Sequence, residues 1–406
     1  MIDITNPRAH GMCGNRLARI GEHLKTRFLD CEKIPGCQVL VARRGEVLYH
    51  YLGGLRDRER KSQMTEDTVF RIYSMTKPIT SVALMTLFER GMFSLEDPVH
   101  RYIPEWSNLK VRSTGSYPDF QTISCDRLMT VRDLLCHTSG LTYDFLNATN
   151  LDAAYRDLGV ARPRPGYTLK DMVDQLSSLP LEFSPGTRWN YSIATDVLGY
   201  LIEVISGQPF SEYLQENIFE PLGMVDTGFN LRDDQRDRFA CCYERDTNKK
   251  LLLQDDSQDS EYQNRTYHSG GGGLLSTLPD YWAFCQMLEA GGVYNGNRII
   301  SSRTLAYMTR NHLPNGSDLS VHATGSFSET AYRGVGFGLG FACKVDPVLN
   351  GNPASFGTYY WGGLASTLFW IDPVEKLTVI FMTQLIPSST FNFRGQLESI
   401  VYGALE

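Results

Sequence analysis

The chain has 406 residues, of which 42% are hydrophobic and 21% are charged, and this ordinary globular composition provides enough apolar surface for a large core. A chain of this length favours two lobes, or one domain with large insertions. The formal net charge of −7 argues against a nucleic acid or an anionic membrane surface as partner, because nothing would offset the repulsion of the phosphates.

Apolar runs and cysteines indicate the compartment. Charged side chains interrupt the N-terminal segment, unlike a secretory signal, and the longest apolar runs, such as residues 82–88, are too short to cross a bilayer. The nine cysteines are an odd number and include no Cys-x-x-Cys pair, so we interpret them as reduced, mostly buried thiols. The sequence therefore predicts a cytoplasmic protein.

The N-terminal region shows a helical pattern and then a strand pattern. Residues 14–29 have apolar side chains at helical spacing, which predicts an amphipathic helix. After a Pro-Gly turn, residues 37–42 and 47–52 form two short apolar runs around a polar turn. These runs predict an antiparallel hairpin.

The middle of the chain is dominated by helical patterns. Residues 79–90 and 193–206 have long apolar helical patterns, and each ends at a glycine. Two polar stretches, residues 107–126 and 232–265, are predicted to be excursions on the surface.

The C-terminal region resembles the N-terminal one. Residues 366–371 and 377–383 predict a second hairpin, and residues 393–404 predict a closing helix. Residues 334–340 alternate glycine with apolar side chains but lack Gly-x-Gly-x-x-Gly spacing, so they predict a strand and not a nucleotide site.

These patterns predict an α+β fold in which both ends of the chain build one lobe. We expect residues 1–75 and 268–406 to form an antiparallel sheet flanked by terminal helices. Residues 76–267 form the inserted helical lobe, and ligand sites favour the junction between such lobes.

The first candidate for chemistry is Ser74-Met75-Thr76-Lys77. Positions i and i+3 of a helix share a face, so the Lys77 ammonium can reach the Ser74 hydroxyl. A serine hydroxyl needs a neighbouring base before it becomes a good nucleophile, and a lysine with a lowered pKa can supply one. The alternative interpretation of Ser74 is an ordinary N-cap serine.

The chain contains a second match to this pattern, Ser107 and Lys110, which shows that the pattern alone has low specificity. The surroundings differ. Ser74 follows an apolar run and opens a long apolar helix, so its hydroxyl and backbone N–H lie where a helix dipole favours an oxyanion. Ser107 leads into a polar loop.

Tyr191 is the second candidate, because a turn-rich segment places it just before the helical pattern at residues 193–206. A nearby ammonium stabilises a phenolate, so a Ser–Lys–Tyr cluster can transfer a proton without histidine. A lone tyrosine is otherwise a core or interface aromatic.

The third candidate is the segment Trp361-Gly362-Gly363-Leu364, which precedes the C-terminal hairpin. Its backbone N–H groups are expected along a sheet edge, and the two glycines allow a substrate to approach that backbone. One such N–H and the N–H of Ser74 would form an oxyanion hole. The alternative is a glycine bulge in a strand.

Together these three elements resemble the serine β-lactamase and penicillin-binding-protein superfamily, whose signature is Ser-x-x-Lys, then Tyr-x-Asn, then Lys-Thr-Gly. Residues 134–141, 221–224 and 270–277 also resemble phrases of that family. The resemblance covers most of the chain and implies a β-lactamase/DD-peptidase-like fold. It also implies acyl transfer, with Ser74 as nucleophile.

Two departures from the signature have physical consequences. Ile193 stands where the asparagine would contact a substrate amide, and Trp361 stands where the lysine would pair with a substrate carboxylate. Loss of a cation and gain of an indole favour neutral, apolar substrates. Both changes are similar to the branch called family VIII carboxylesterases, and fungal statin acyltransferases resemble this branch too.

Other side chains are weaker candidates. His137 is interpreted as a structural hydrogen-bonding residue, since no Gly-x-Ser-x-Gly elbow accompanies it. Tyr143 and Phe145 either line an apolar substrate pocket or pack in the core. The histidines are scattered without His-Glu-x-x-His, so neither a metal nor another cofactor is expected.

The predicted function is therefore hydrolysis of neutral short-to-medium-chain carboxylic esters, with a small-molecule ester as the partner. A homo-oligomer is compatible with the sequence. Two alternatives stay open: an acyltransferase or D-amino-acid peptidase with the same three residues, and a non-catalytic binding protein of the same fold.

Overall fold

The computed structural model describes residues 2–325 and 330–406, and its central feature is an eight-stranded antiparallel sheet. Numbered along the chain, the strands are β1 (Gly36–Arg43), β2 (Glu46–Asp57), β3 (Ser62–Gln63), β4 (Val335–Phe337), β5 (Ala342–Lys344), β6 (Tyr359–Gly362), β7 (Leu368–Asp372) and β8 (Leu377–Thr383). They lie in the order β4-β5-β6-β7-β8-β1-β2-β3. Strands from both ends of the chain thus meet at the β8–β1 pair.

The sheet is covered on both faces, which explains the continuous apolar runs of its strands. Every residue of β1, β6, β7 and β8 is buried, as expected when neither face meets water. On one face the ring of Phe381 lies 4.9 Å from that of Phe393, on the closing helix Phe393–Tyr402. On the other face Phe369 lies 5.3 Å from Tyr281, on the helix Leu278–Glu289.

Most of the helices lie between β3 and β4 in the sequence. The longest is Thr76–Glu89, which packs against Ala194–Ser206. The shorter α-helices of this region are Val131–Leu135, Asn150–Leu158, Leu169–Leu176, Phe210–Leu214, Glu220–Leu222, Ser302–Met308 and Leu319–His322. Gly207 ends Ala194–Ser206 in the left-handed conformation, with φ of 74°, as the glycine at that position predicts.

The predicted hairpins and long helices are confirmed. The one predicted helix at residues 14–29 is present as a helical segment in three parts: Gly14–Leu17, Arg19–Leu24 and a π-helical turn at Lys25–Leu29. All nine cysteines are free thiols, as predicted. No helix in the described ranges is both long and apolar enough to cross a membrane.

The prediction that residues 232–265 are only a surface excursion is wrong. Phe239 and Tyr262 of this segment are buried. The fully buried guanidinium of Arg71 lies 3.9 Å from the Phe239 ring centroid and forms a 2.6 Å ion pair with Asp255. A polar segment is therefore drawn inward because a buried cation requires acceptors and a carboxylate.

The α+β fold expected from the sequence is confirmed by this arrangement of sheet and helices. All eight strands of the main sheet lie within residues 36–63 and 335–383. The strand Val69–Arg71 pairs with Leu275–Thr277, so the two chain crossings between sheet and helices lie side by side. The lobe limits of residues 1–75 with 268–406, and 76–267, remain our proposal.

Candidate active site

Ser74 lies at the point where the chain passes from the sheet region into its longest buried helix. The strand Val69–Arg71 leads to a 3-10 turn, Tyr73–Met75, and the helix Thr76–Glu89 follows directly. Tyr73 has a φ of 42°, which an L-residue rarely adopts. A rarely populated backbone conformation of this kind, next to a candidate nucleophile, is typical of functional sites.

Lys77 is the second residue of this helix, three positions after Ser74, and it is 2% exposed. Its ammonium lies 3.3 Å from the Ser74 hydroxyl, 3.0 Å from the Tyr143 hydroxyl and 2.7 Å from the Gly271 carbonyl oxygen. An ammonium has three protons to donate, so these three acceptors suit its charged form. A buried cation held in this way raises the local positive potential around Ser74.

Tyr191 also contacts Ser74. Its phenol donates a 2.6 Å hydrogen bond to the Ser74 hydroxyl, and its ring centroid lies 4.4 Å from the Lys77 ammonium. The segment leading into the helix Ala194–Ser206 carries this tyrosine. The serine hydroxyl therefore contacts both a phenol and an ammonium, and all three residues are buried.

Tyr143 has a polar contact that the sequence did not indicate. Its hydroxyl accepts a hydrogen bond from Lys77. Its ring lies 5.2 Å from the Tyr191 ring and stacks on the Phe145 ring at 4.6 Å. Phe145 is 46% exposed, so this pair reaches the surface from the candidate cluster of Ser74, Lys77 and Tyr191. The sequence alternatives of pocket and core omitted the hydroxyl, because nothing in the chain near residue 143 identifies its partner.

A glycine-rich turn closes the cluster, and sequence reasoning did not include it in the site. A Cβ on Gly271 would lie 2.3 Å from a carboxylate oxygen of Asp196 and 2.7 Å from the Tyr143 hydroxyl. Asp196 in turn accepts hydrogen bonds from Tyr267 and Ser269. The run of four glycines at residues 270–273 was the available signal, since only glycine permits this approach.

Trp361 lies in β6 on the face that is directed toward the cluster. Its ring is fully buried, 5.6 Å from the Tyr191 ring and 5.4 Å from the Phe337 ring. The Arg394 guanidinium donates to the Trp361 carbonyl oxygen at 2.9 Å. An indole thus occupies the wall where the signature of the family has a lysine.

The end of β6 lies against the segment that precedes Ser74. A Cβ on Gly363 would be 2.4 Å from the Ile72 carbonyl oxygen, and Gly363 itself donates to Thr367 at 2.8 Å. Only glycine fits there. The backbone of residues 362–364 therefore lies against the segment that leads to the candidate nucleophile.

His137 is buried beside the cluster but does not contact Ser74. Its Nδ1 lies 3.1 Å from the Ser192 hydroxyl, in line with the structural role expected from the sequence. Burial lowers the pKa of this imidazole well below its usual value, and the positive charge of Lys77 lowers it further. The ring is therefore neutral at physiological pH.

Three other residues singled out in the sequence are Ser107, Lys110 and Ile193. Ser107 and Lys110 are both exposed. Ile193 is buried and its N–H donates to the Thr142 carbonyl oxygen at 3.2 Å.

One group of potential metal ligands occurs within the described ranges, and it lies in a different part of the molecule. It consists of Asp57, Glu59 and Cys241. The Arg60 guanidinium forms a 2.7 Å ion pair with Asp57. This cation already compensates the carboxylate, which makes the group a poor cation site.

Comparison with known proteins places these residues in a family context. The Beta-lactamase family model matches residues 23–397. Esterase EstB from Burkholderia gladioli is 32% identical over 400 residues, which cover 93% of this chain and 93% of that relative. Acyltransferase calJ from Penicillium decumbens is 27% identical over 340 residues, covering 80% of this chain and 78% of calJ.

A solved structure agrees with these sequence matches. EstCE1, described as a hydrolase with promiscuous acyltransferase activity, superposes with a TM-score of 0.80 and 27% identity, covering 96% of this chain and 99% of EstCE1. The fold, the matched family model and the similarity to EstB agree with the resemblance stated from the sequence. The chain belongs to the β-lactamase family.

Proposed function

We propose that this protein is a serine carboxylesterase that hydrolyses neutral short-to-medium-chain esters through an acyl-enzyme on Ser74. The observation that carries the proposal is the buried contact of Ser74 with both Tyr191 and Lys77, beside an indole in place of a cation at Trp361. Three polar groups in this arrangement can activate a serine hydroxyl without histidine.

In the first step the Ser74 hydroxyl attacks the ester carbonyl carbon. Tyr191 and Lys77 act as a pair: attack requires the phenolate form of Tyr191, which the Lys77 ammonium stabilises, and this phenolate oxygen, 2.6 Å away, accepts the serine proton as the bond from the serine oxygen to the carbonyl carbon forms. Tyr143 and Gly271 hold the ammonium in place through the two other hydrogen bonds of Lys77.

The negative oxygen of the tetrahedral intermediate needs donors that are already oriented. We assign this role to the backbone N–H groups of Ser74 and Leu364, since the β6 end contacts the segment before Ser74 at Gly363. Ser74 is also at the start of a helical segment, where the backbone dipoles favour an anion.

In the second step Tyr191 gives its proton to the leaving alkoxide, and the alcohol departs. Water then attacks the acyl-enzyme and loses a proton to the Tyr191 phenolate, and Tyr191 passes this proton to the serine oxygen as its bond to the acyl carbon breaks. His137 takes no proton in this sequence, since burial keeps its imidazole neutral and its Nδ1 contacts Ser192.

The proposed preference for neutral substrates depends on Trp361. A substrate carboxylate in this desolvated wall would have no compensating cation from the matched motifs, which is costly. The similarity to proteins named esterase EstB and the hydrolase EstCE1 supports the same assignment.

The direct test compares kcat/KM for a neutral 4-nitrophenyl ester with kcat/KM for nitrocefin on one preparation. We expect the ester to be the better substrate and nitrocefin to be slow or inert. Trp361→Lys should shift the preference toward anionic substrates, with Phe145→Leu as an aromatic control. Nitrocefin equal to or better than the ester would replace the esterase assignment by a lactamase one.

Acyl transfer is the second candidate, because calJ is named an acyltransferase and EstCE1 is described with promiscuous acyltransferase activity. The two functions differ only in the nucleophile that resolves the acyl-enzyme. Adding a simple alcohol and quantifying acid against new ester separates them. A fluorophosphonate that fails to label Ser74 would instead favour a non-catalytic binding protein.

Location and assembly are part of the same proposal. We place the protein in the cytoplasm because its nine cysteines are free thiols, and we expect a small-molecule ester as its partner. The molar mass in solution, measured by light scattering, would test whether the protein forms a homo-oligomer.

A further inference from the structure

A polar cavity adjoins the proposed catalytic cluster on the side of Tyr191. It encloses about 300 Å³, and Tyr191 belongs to its wall whereas Ser74 and Lys77 do not. The polar residues that define this Tyr191 cavity here are Arg112, Thr149, Asp152, Glu182, Arg188 and Trp189. A group bound there would contact the wall at Tyr191 but not Ser74 or Lys77.

The carboxylates in this wall already have hydrogen-bond donors. Glu182 forms a 2.8 Å ion pair with Arg112 and accepts from Thr149. Asp152 accepts from the Thr142 hydroxyl at 2.6 Å and from the Thr149 backbone N–H at 3.0 Å. Neither carboxylate therefore needs a further donor from a ligand.

Besides the buried Nε of Arg112, the donors of Arg188 and Trp189 in the same wall have no such partner within residues 2–325 and 330–406. Arg188 is exposed, and the ion pairs of this part of the chain do not include it. Trp189 is 1% exposed, and its buried indole N–H has no hydrogen-bond acceptor among the described residues. The cavity thus offers a guanidinium and an N–H in excess over its acceptors.

We propose that the Tyr191 cavity binds a carboxylate of the ester substrate that is remote from the scissile bond, and that Arg188 is the specificity-determining residue. The proposal rests on the proposed esterase function and extends it. It differs from the neutral preference set by Trp361, because the Trp361 ring packs against Tyr191 outside this cavity, whereas Arg188 lines the cavity itself. A half-ester of a dicarboxylic acid, or an ester of a hydroxy acid, has a carboxylate at such a distance.

The experiment uses matched pairs of anionic and neutral substrates. Mono-4-nitrophenyl glutarate and its methyl ester place the charge in the acyl part. 4-Acetoxybenzoate and its methyl ester place it in the alcohol part. The measured quantity is the ratio of kcat/KM for the anionic member to that for the neutral member, in wild type, Arg188→Gln and Arg188→Lys.

In wild type we expect the ratio to be higher in the pair whose carboxylate reaches Arg188 than in the other pair. Arg188→Gln should lower that ratio about fivefold, the size that an exposed ion pair allows, and Arg188→Lys should retain most of it. Arg303→Gln removes an equally exposed cation outside the cavity and should leave the ratio unchanged. A wild-type ratio that falls with rising salt would support the same conclusion if Arg188→Gln did not fold.

Two results would overturn the inference: ratios in both pairs that Arg188→Gln does not change, or an equal loss in Arg303→Gln. Loss of hydrolysis of the neutral members in wild type would instead contradict the proposed function. The two failures are therefore distinguishable.

Discussion

The pattern Ser-x-x-Lys occurs twice in this chain, and its two copies differ in every physical respect except their spacing. Ser74 and Lys77 are buried and meet a phenol, a second phenol and a carbonyl oxygen. Ser107 and Lys110 are exposed, and the serine lies in a short 3-10 turn, Pro104–Asn108. Spacing alone allows a lysine to reach a serine, whereas burial and fixed partners are what make the contact chemically useful.

The largest expected effect separates these two serines directly. Ser74→Ala should abolish hydrolysis of a 4-nitrophenyl ester, a loss of about a thousandfold or more, because the covalent step then has no nucleophile. Ser107→Ala should stay near the wild-type rate. The measurement is kcat/KM for both variants, with folding checked by circular dichroism. An active Ser74→Ala enzyme would contradict the assignment of Ser74 as the nucleophile.

The next effect tests which partner makes the buried copy reactive. Tyr191→Phe removes one hydroxyl, the one 2.6 Å from the serine, and we expect a loss of roughly a hundredfold or more, mainly in kcat. Thermal unfolding should show a folded protein. Unchanged turnover in that folded variant would mean that Lys77 acts as the base by itself.

A smaller effect is expected for the residue that holds the lysine. Tyr143→Phe leaves Lys77 with one acceptor fewer, and the rate should fall about tenfold because a hydrogen bond to a charged group is lost. Phe145→Leu is the matched control, since it changes the stacked partner but no hydrogen bond. Equal losses in the two variants would attribute the effect to packing and not to the hydroxyl.

The smallest effect concerns stability and tests how dry the buried site is. The folded state keeps His137 neutral, whereas an unfolded histidine takes up a proton near pH 6.5. The pKa of His137 is lower in the folded state than in the unfolded state. Its contribution to the free energy of unfolding should therefore be complete well above pH 6.5 and should be lost as the pH falls below that value. Between pH 6.5 and 5.5 the decrease should be about 1 kcal/mol for this one group, because half of the unfolded histidine is already protonated at pH 6.5.

The measurement is the free energy of unfolding by urea at both pH values for wild type, His137→Gln and His100→Gln. His137→Gln should show the smaller dependence on pH, and His100→Gln should resemble wild type. Identical pH dependence in all three proteins would show that water reaches His137.

The linear pattern determined much of this protein. Short apolar runs around polar turns indicated the two hairpins, and glycines after helical patterns indicated where helices end, because these are local properties of the chain. The α+β class, both hairpins and the Ser74, Lys77 and Tyr191 candidates followed from such patterns together with the resemblance to the family.

Only the tertiary structure decided which side chains from distant segments meet. Gly271 is far from Lys77 in sequence, yet its carbonyl oxygen is the nearest of the three acceptors of the ammonium. Likewise Arg71 draws Asp255 and Phe239 inward from a segment that is polar by composition. A buried charge must find its acceptors wherever the fold brings them, and no local pattern records that requirement.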